Sequence, residues 1–411
     1  MFSVNSKFSA KVILGVAAAT LLSPALSAQH ILTQMRLPRI QPTQEPIAFT
    51  RPHFVVNAAT PADLSVPPTS AFTPTMIRHA YGFDTLANQG AGQTIAIVDA
   101  YDDANIESDL ATFSSEFELP TCTSENGCFT KMYATGQQPA ANAQWSLETA
   151  LDVEWAHAIA PQAKIVLIEA NSYALSDLLV GVDLAVGRGA SVVSMSWTTA
   201  EFSGERSDDS HFMASGISFV AASGDSGAGV NYPAASPYVL SVGGTSLTLN
   251  AAHNYGGEVS WSGSGGGMSV YENEPMYQEQ FGVPNDAAGY RAVPDVSYNA
   301  NPGTGYAVYN SIPYQNAEGW FQVGGTSAAT PQWAAGMAIV NSMRAASGKS
   351  PLSNLNSMLY PNNARADALN FFPVNSTLTC ARVCRVVAGF DPFTGLGSPQ
   401  AKNLIPSLAV R

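Results

Sequence analysis

Positive charge is scarce in this chain. Of 411 residues only 18 are Lys or Arg against 31 Asp or Glu, and the net charge is −13. Gripping a phosphate backbone takes clustered cations, so a nucleic-acid partner is not expected. Long apolar runs are also missing. The most apolar stretch near the start, Val12 to Leu22, is too short to span a bilayer. It follows Lys7 and Lys11 and precedes Pro24 and the small residues Ala25, Ser27 and Ala28. That order reads as a secretory signal peptide over residues 1–28, and implies an exported chain, extracellular or periplasmic, with no membrane partner. Cysteine is sparse, with four residues paired in sequence as Cys122/Cys128 and Cys380/Cys384. They fit an oxidising compartment and local disulfides. A zinc site is disfavoured because no histidine accompanies either pair.

What is plentiful points to a large folded core. The chain is 46% apolar, with 34 glycines and 26 prolines, which argues against wholesale disorder. Residues 29–72 are proline-rich and without sustained periodicity, and read as a short pro-segment or linker with little structure of its own. From residue 73 to 411 the texture is that of one domain. TIAIVDA, AKIVLIEA, ASVVSMSW and ISFVAASGD are branched runs of buried-strand type. Helix-like segments lie between them: DANIESDLATFSSEF, SLETALDVEWAHAIA and LSDLLVGVDLAVGRG. The alternation predicts an α/β fold with a mostly parallel central sheet covered by helices on both faces. Residues 238–314, rich in glycine, serine and aromatics, read as loops and short strands. No internal repeat is present, and nothing demands an oligomer, so a monomer is expected.

In such a sheet, reactive residues gather at the carboxyl ends of strands. Asp99 follows TIAIV, Ser196 and Trp197 follow SVVSM, and Asp225 lies in AASGDSG. Further on, GGTSAATP places Ser327 at the head of a small-residue helix. Alone, such a serine is most simply an N-cap. Its candidate partners lie in WSLETALDVEWAH, where Glu148 and Asp152 are spaced i and i+4 with Ser146 as a plausible cap and Pro161 as a stop. At about 100° per residue the two carboxylates share one helix face, and His157 falls about 180° from Glu148. Two carboxyls so close can share a proton, which raises the apparent pKa of the pair. A base of this kind works best in acid, near the usual glutamate pKa of about 4.3.

Taken together, these stretches resemble the sedolisin family, serine-carboxyl peptidases of subtilisin-like fold. The resemblance runs in order through LETALDVEWAHAIAPQAKI, SVVSMSW, FVAASGDSG, YPAASPYVLSVGGTSL, WSGSGGGMS, RAVPDVS, GGTSAATP and GFDPFTGLGSP. It implies Ser327 as nucleophile, Glu148 as general base and acid, Asp152 as its orienting partner and Asp225 as an oxyanion-hole carboxyl that donates when protonated. It also implies a protein or peptide substrate lying between two cleft walls, Ser196 and Trp197 on one side and Gly265 and Gly266 on the other.

The pattern is not followed everywhere. The family's large N-terminal pro-domain has only residues 29–72 to correspond to it. The family's structural calcium would rest here on Val387, Gly389 and Asp391, but Pro373 occupies the place of an expected Asp. A disulfide-stapled loop without metal is the rival, and no cofactor is required for the chemistry. Thr198 stands where the family commonly has glycine.

The expected function is therefore a secreted acid endopeptidase. Three alternatives are weighed beside it: a tripeptidyl exopeptidase, a subtilisin-type enzyme using Asp99, His157 and Ser327, and an inactive binding protein. The second lacks the His-Gly-Thr segment that carries the subtilisin base.

Overall fold

The computed structural model describes residues 45–48, 64–283, 289–360, 369–374 and 389–411, and the backbone of 53–55. The branched runs become the strands of one eight-stranded sheet. These are β1 (Thr94–Ala100), β2 (Phe129–Tyr133), β3 (Lys164–Ala170), β4 (Val192–Met195), β5 (Ser218–Ala222), β6 (Val239–Leu249), β7 (Tyr255–Ser260) and β8 (Val296–Asn299). The order is β7-β6-β5-β4-β1-β3-β2, with β8 also on β6. All pairings are parallel except β6 with β7. Chain progression reverses between β1 and β4, so this is the switch point where a crevice is expected at the carboxyl edge.

β6 and β8 fall in the region expected to hold only loops and short strands. Glycines disguise β6. A Cβ on Gly243 would come within 2.6 Å of Pro294, and one on Gly244 within 2.8 Å of Ala300. Close approach, not a broken strand, explains those glycines.

The strands are apolar on both faces because each face meets helices. Ile95 and Ile97 of β1 belong to one core, which includes residues of helices α1 (Ala143–Ile159) and α3 (Thr326–Ala346). Ala96 and Val98 belong to a second core with α2 (Leu175–Gly187). The expected class, a mostly parallel sheet with helices on both sides, is the observed one.

Helix α1 has no polar face. Every residue from Trp145 to Ile159 is buried, since the helix packs against β1, α3 and the hairpin formed by Tyr306–Tyr314 and Ala317–Gly324. Its start differs from expectation. Asn142, not Ser146, is the cap, accepting from Gln144 N at 3.0 Å and Trp145 N at 3.2 Å. Ser146 lies inside the first turn and bonds back to Asn142 O at 3.1 Å.

Parts of the expected linker are ordered. His53–Val55 pairs with the hairpin strand Ala317–Gly324, and Ala48 N donates to Tyr173 O at 2.8 Å. The expected signal peptide, residues 1–28, lies outside the described residues. Among the described residues no helix is long and apolar enough to cross a membrane.

Candidate active site

The head of α3 carries the candidate nucleophile. Gly325 precedes the helix at φ +124°, and a Cβ there would lie 2.6 Å from Asp225 Oδ2, so glycine is required on both counts. Thr326 turns both its N–H and its hydroxyl to Asp225 Oδ1, each at 2.7 Å, and accepts from Gly224 N at 3.1 Å. Asp225 is thus anchored at the helix N-terminus through one carboxyl oxygen. Ser327 follows, buried, and is not the cap residue.

The spacing of GGTSAATP has a backbone consequence. Pro331 lacks the N–H that would bond the Ser327 carbonyl four residues back. That carbonyl receives the Ser196 hydroxyl at 3.3 Å instead, and Ser327 Oγ donates to the Ser196 carbonyl at 3.3 Å. The carboxyl end of β4 and the start of α3 are clasped reciprocally.

Behind this clasp stand the carboxylates of α1. Glu148 and Asp152 are fully buried. Burial pushes the Asp152 carboxyl well above the usual range, and nearby Asp99 and Glu148 push it further. The Ser196 hydroxyl, lying between Asp152 and the Ser327 carbonyl, partly opposes this. Asp99, at the end of β1, is raised by its own burial against the pull of the Thr149 hydroxyl. In the sequence Asp99 stands out as a strand-end residue, and its one named role there is as partner of a histidine base. The structure sets it instead against Asp152, as a third carboxyl of one group. Its place at a strand end was the available signal.

His157 lies on the far side of α1. Its Nε2 is 2.8 Å from Pro120 O, its ring packs beside the Cys122–Cys128 disulfide, and burial holds its pKa below that of free histidine. It does not join Asp99 and Ser327, and a His-based triad has no geometric support.

The expected cleft residues are all buried. Trp197 is a core side chain, fully buried, with Nε1 donating to Val98 O at 2.9 Å. Gly265 and Gly266 are buried too, and their amides go to Gly224 O at 2.7 Å and Gly229 O at 2.9 Å. A Cβ on either glycine would collide with backbone oxygen of Ser223 or Pro392. The parts of the same segments that reach solvent are Thr198, Ser262, Gly263, Gly267 and Met268.

Of the expected disulfides, Cys122–Cys128 is formed. Cys380 and Cys384 lie outside the described residues, as does Val387. Asp391 is buried, and its Oδ1 accepts from Phe393 N at 2.8 Å and from Thr394 N and Oγ1 at 3.2 Å. That oxygen closes a local turn, and Pro373 brings no side-chain oxygen, so the described donors fit calcium only in part.

Comparison with known proteins bears on the family. The subtilase-family pattern matches residues 136–364. Kumamolisin of Bacillus sp. (strain MN-32) is 34% identical over 397 residues, covering 87% of this chain and 68% of kumamolisin. Sedolisin of Pseudomonas sp. (strain 101) is 28% identical, covering 60% of this chain and 46% of sedolisin. Human tripeptidyl-peptidase 1 is 33% identical, covering 47% of this chain and 38% of that protein. The chain therefore spans about two thirds of kumamolisin and less than half of the other two. The solved structure of Pseudomonas sedolisin, a serine-carboxyl proteinase complexed with pseudo-iodotyrostatin, superposes with a TM-score of 0.70 at 23% identity. That match covers 83% of this chain and 98% of that one, and bears on the fold alone. With the subtilase match over residues 136–364 and the kumamolisin identity of 34% over 87% of the chain, the chain belongs to the sedolisin family of serine-type peptidases.

Proposed function

We propose that this protein is an exported endopeptidase that cleaves peptide bonds through an acyl-enzyme at acidic pH. The observation that carries the reading is the convergence at one strand edge of Ser327, the clasping Ser196, Asp225 and the buried group Glu148, Asp152 and Asp99, with His157 turned away.

In the forward step Glu148, as carboxylate, takes the proton of Ser327 Oγ while that oxygen bonds to the scissile carbonyl carbon. The carbonyl electron pair moves to oxygen, and protonated Asp225 donates a hydrogen bond to it. On collapse, the C–N bond breaks and the leaving amine takes the proton from Glu148. Water then repeats the sequence on the ester and restores Ser327. Asp152 holds Glu148 in place. Acid favours this arrangement because Asp225 must carry a proton to donate, and an ionised carboxyl there would repel the oxyanion.

The test is hydrolysis of a denatured protein from about pH 3 to 8 by wild type, Ser327→Ala, Glu148→Gln and His157→Ala. Retention of full activity by Glu148→Gln alongside its loss in His157→Ala overturns the Glu148 role. Wild-type inertness across the range supports an inactive binding protein instead. Product masses separate endopeptidase from tripeptidyl cleavage, the activity named for several relatives.

Structural calcium on Asp391 and the carbonyls of Val387 and Gly389 is a secondary proposal. Its fit is incomplete, and no step of the chemistry runs through it. Calorimetric titration of chelator-treated protein tests it, with absence of binding heat as the adverse result.

A further inference from the structure

Neither cysteine pair has a histidine beside it in sequence, yet the fold supplies one to the first pair. A ring nitrogen of His157, on α1, and the sulfurs of Cys122 and Cys128 all lie within 4.8 Å of one another. Among the described residues no other set of three or more His, Cys, Asp or Glu ligand atoms is gathered this tightly. Cys122 and His157 are buried, and Cys128 is half-buried.

The imidazole is set as a metal-binding histidine is set. Nε2 is 2.8 Å from the Pro120 carbonyl, which can only accept, so Nε2 carries the hydrogen. Nδ1 is enclosed and has no partner among the described residues. A histidine ligand usually gives its second ring N–H to a carbonyl or carboxylate in this way, which fixes the tautomer and leaves a lone pair for the ion. Burial lowers the pKa of the ring and Arg78 acts in the same sense, against the bond to Pro120, so the neutral form is favoured.

The cysteines do not rely on their mutual bond for position. Asn126 Oδ1 accepts from Thr123 N at 3.1 Å and Cys128 N at 3.0 Å, while Asn126 Nδ2 donates to Thr121 O at 2.8 Å. Thr123 O accepts from Cys128 N at 3.2 Å and Phe129 N at 3.1 Å, and Ile165 N of β3 donates to Cys128 O at 2.8 Å. With the disulfide open, CTSENGC therefore remains a hydrogen-bonded turn tied to the sheet. Its two cysteine Cα atoms stand 4.9 Å apart. Two thiolates on one tetrahedral zinc sit about 3.8 Å apart, given Zn–S bonds of about 2.3 Å, and rotation of the side chains on this backbone reaches that separation.

We propose that these residues form a redox-gated zinc site, in which reduction of the disulfide frees the thiolates of Cys122 and Cys128 to bind the ion together with His157 Nδ1. A dithiol supplies the electrons. One of its thiolates attacks a cystine sulfur and breaks the S–S bond, and its second thiol then resolves the mixed disulfide. The dithiol leaves as a disulfide and the chain holds two thiols. Each thiol releases its proton to solvent as its sulfur bonds to zinc. Three protein ligands leave the fourth tetrahedral position to water. Bound zinc keeps the corner at residues 120–129 on α1 when the covalent link is open. The site is independent of the peptidase reading.

The test uses the full chain carrying Cys380→Ser and Cys384→Ser, so that only the Cys122/Cys128 pair can respond. The protein is reduced with a phosphine, freed of reductant without air and given zinc chloride. Bound zinc is then measured by mass spectrometry and Tm by calorimetry. About one zinc per chain is expected after reduction, and none on the oxidised chain or on Cys122→Ser/Cys128→Ser. His157→Asn is expected to weaken binding at least about tenfold. Should it fold poorly, His157→Gln serves, since its longer amide can still donate to Pro120. Zinc is also expected to raise the Tm of the reduced protein progressively with concentration, as a ligand of the folded state does. The site is overturned by a reduced chain that takes up no zinc or loses its fold, by equal zinc on the oxidised chain, by unchanged affinity in the His157 variant, or by binding that leaves Tm unmoved.

Discussion

Ser327 takes its setting from neighbours more than a hundred residues away in sequence: Ser196 clasps its backbone and Asp225 anchors the residue before it. Each role predicts its own loss. Ser327→Ala and Glu148→Gln are expected to lower kcat/KM by about 10³-fold or more with little change in Tm. Asp225→Ala is expected to cost about 10²- to 10³-fold, chiefly in kcat. His157→Ala should do the opposite, keeping kcat/KM while losing on the order of 1–3 kcal/mol of stability with its bond to Pro120. At this scale the sequence already nominated the candidate residues. Helical spacing alone separates His157 from Glu148, and the structure places His157 against Pro120 and the disulfide. Trp197 was not legible as core, because a motif names a residue without saying which way its side chain points. The structure sends the indole inward to Val98 and leaves Thr198 toward solvent.

Two helices position these residues, and both depend on how they begin. The Asn142 cap sets the first turn of α1, which carries Glu148 one turn later. Asn142→Ala is expected to cost about 1 kcal/mol, read as a lower Tm, and activity measured well below that Tm should change little. Gly325→Ala is harsher. The left-handed φ and the approach to Asp225 both exclude a side chain, so kcat is expected to fall more steeply than Tm, as Asp225 is displaced from Thr326. The strand TIAIVDA was readable from its branched run, whereas β6 was not, since Gly243 and Gly244 are dictated by Pro294 and Ala300 from elsewhere in the chain. Strand pairing by residues 53–55 was equally hidden, because an edge strand borrows its order from the hairpin it joins.

For the whole molecule, the scarcity of cations becomes a pH response. Burial raises Glu154, lifts Asp103 to about 7 and lifts Glu169 to about 8, in addition to Asp99 and Asp152. A carboxyl whose folded pKa lies above its unfolded value holds a proton that the unfolded chain releases. Its stabilisation is therefore complete below about pH 4 and is lost as pH rises toward the folded value. Asp102, lowered by Lys131 and Gln138 despite burial, works in the opposite sense but has few companions. The expected outcome is a Tm lower by about 10 °C or more at pH 7.5 than at pH 4.5, measured by calorimetry. A flat or rising Tm would count against it. Composition alone shows only the excess of acidic residues, because charge counts do not say which carboxyls are buried. By itself the sequence determined the parallel α/β class and nominated the residues proposed to carry the chemistry, since periodicity and short motifs are local properties of the chain. Only the tertiary structure decided which carboxyls share an interior and which residues of the expected cleft segments face solvent. Those outcomes depend on segments far apart in sequence coming into contact, and on the desolvation that contact imposes.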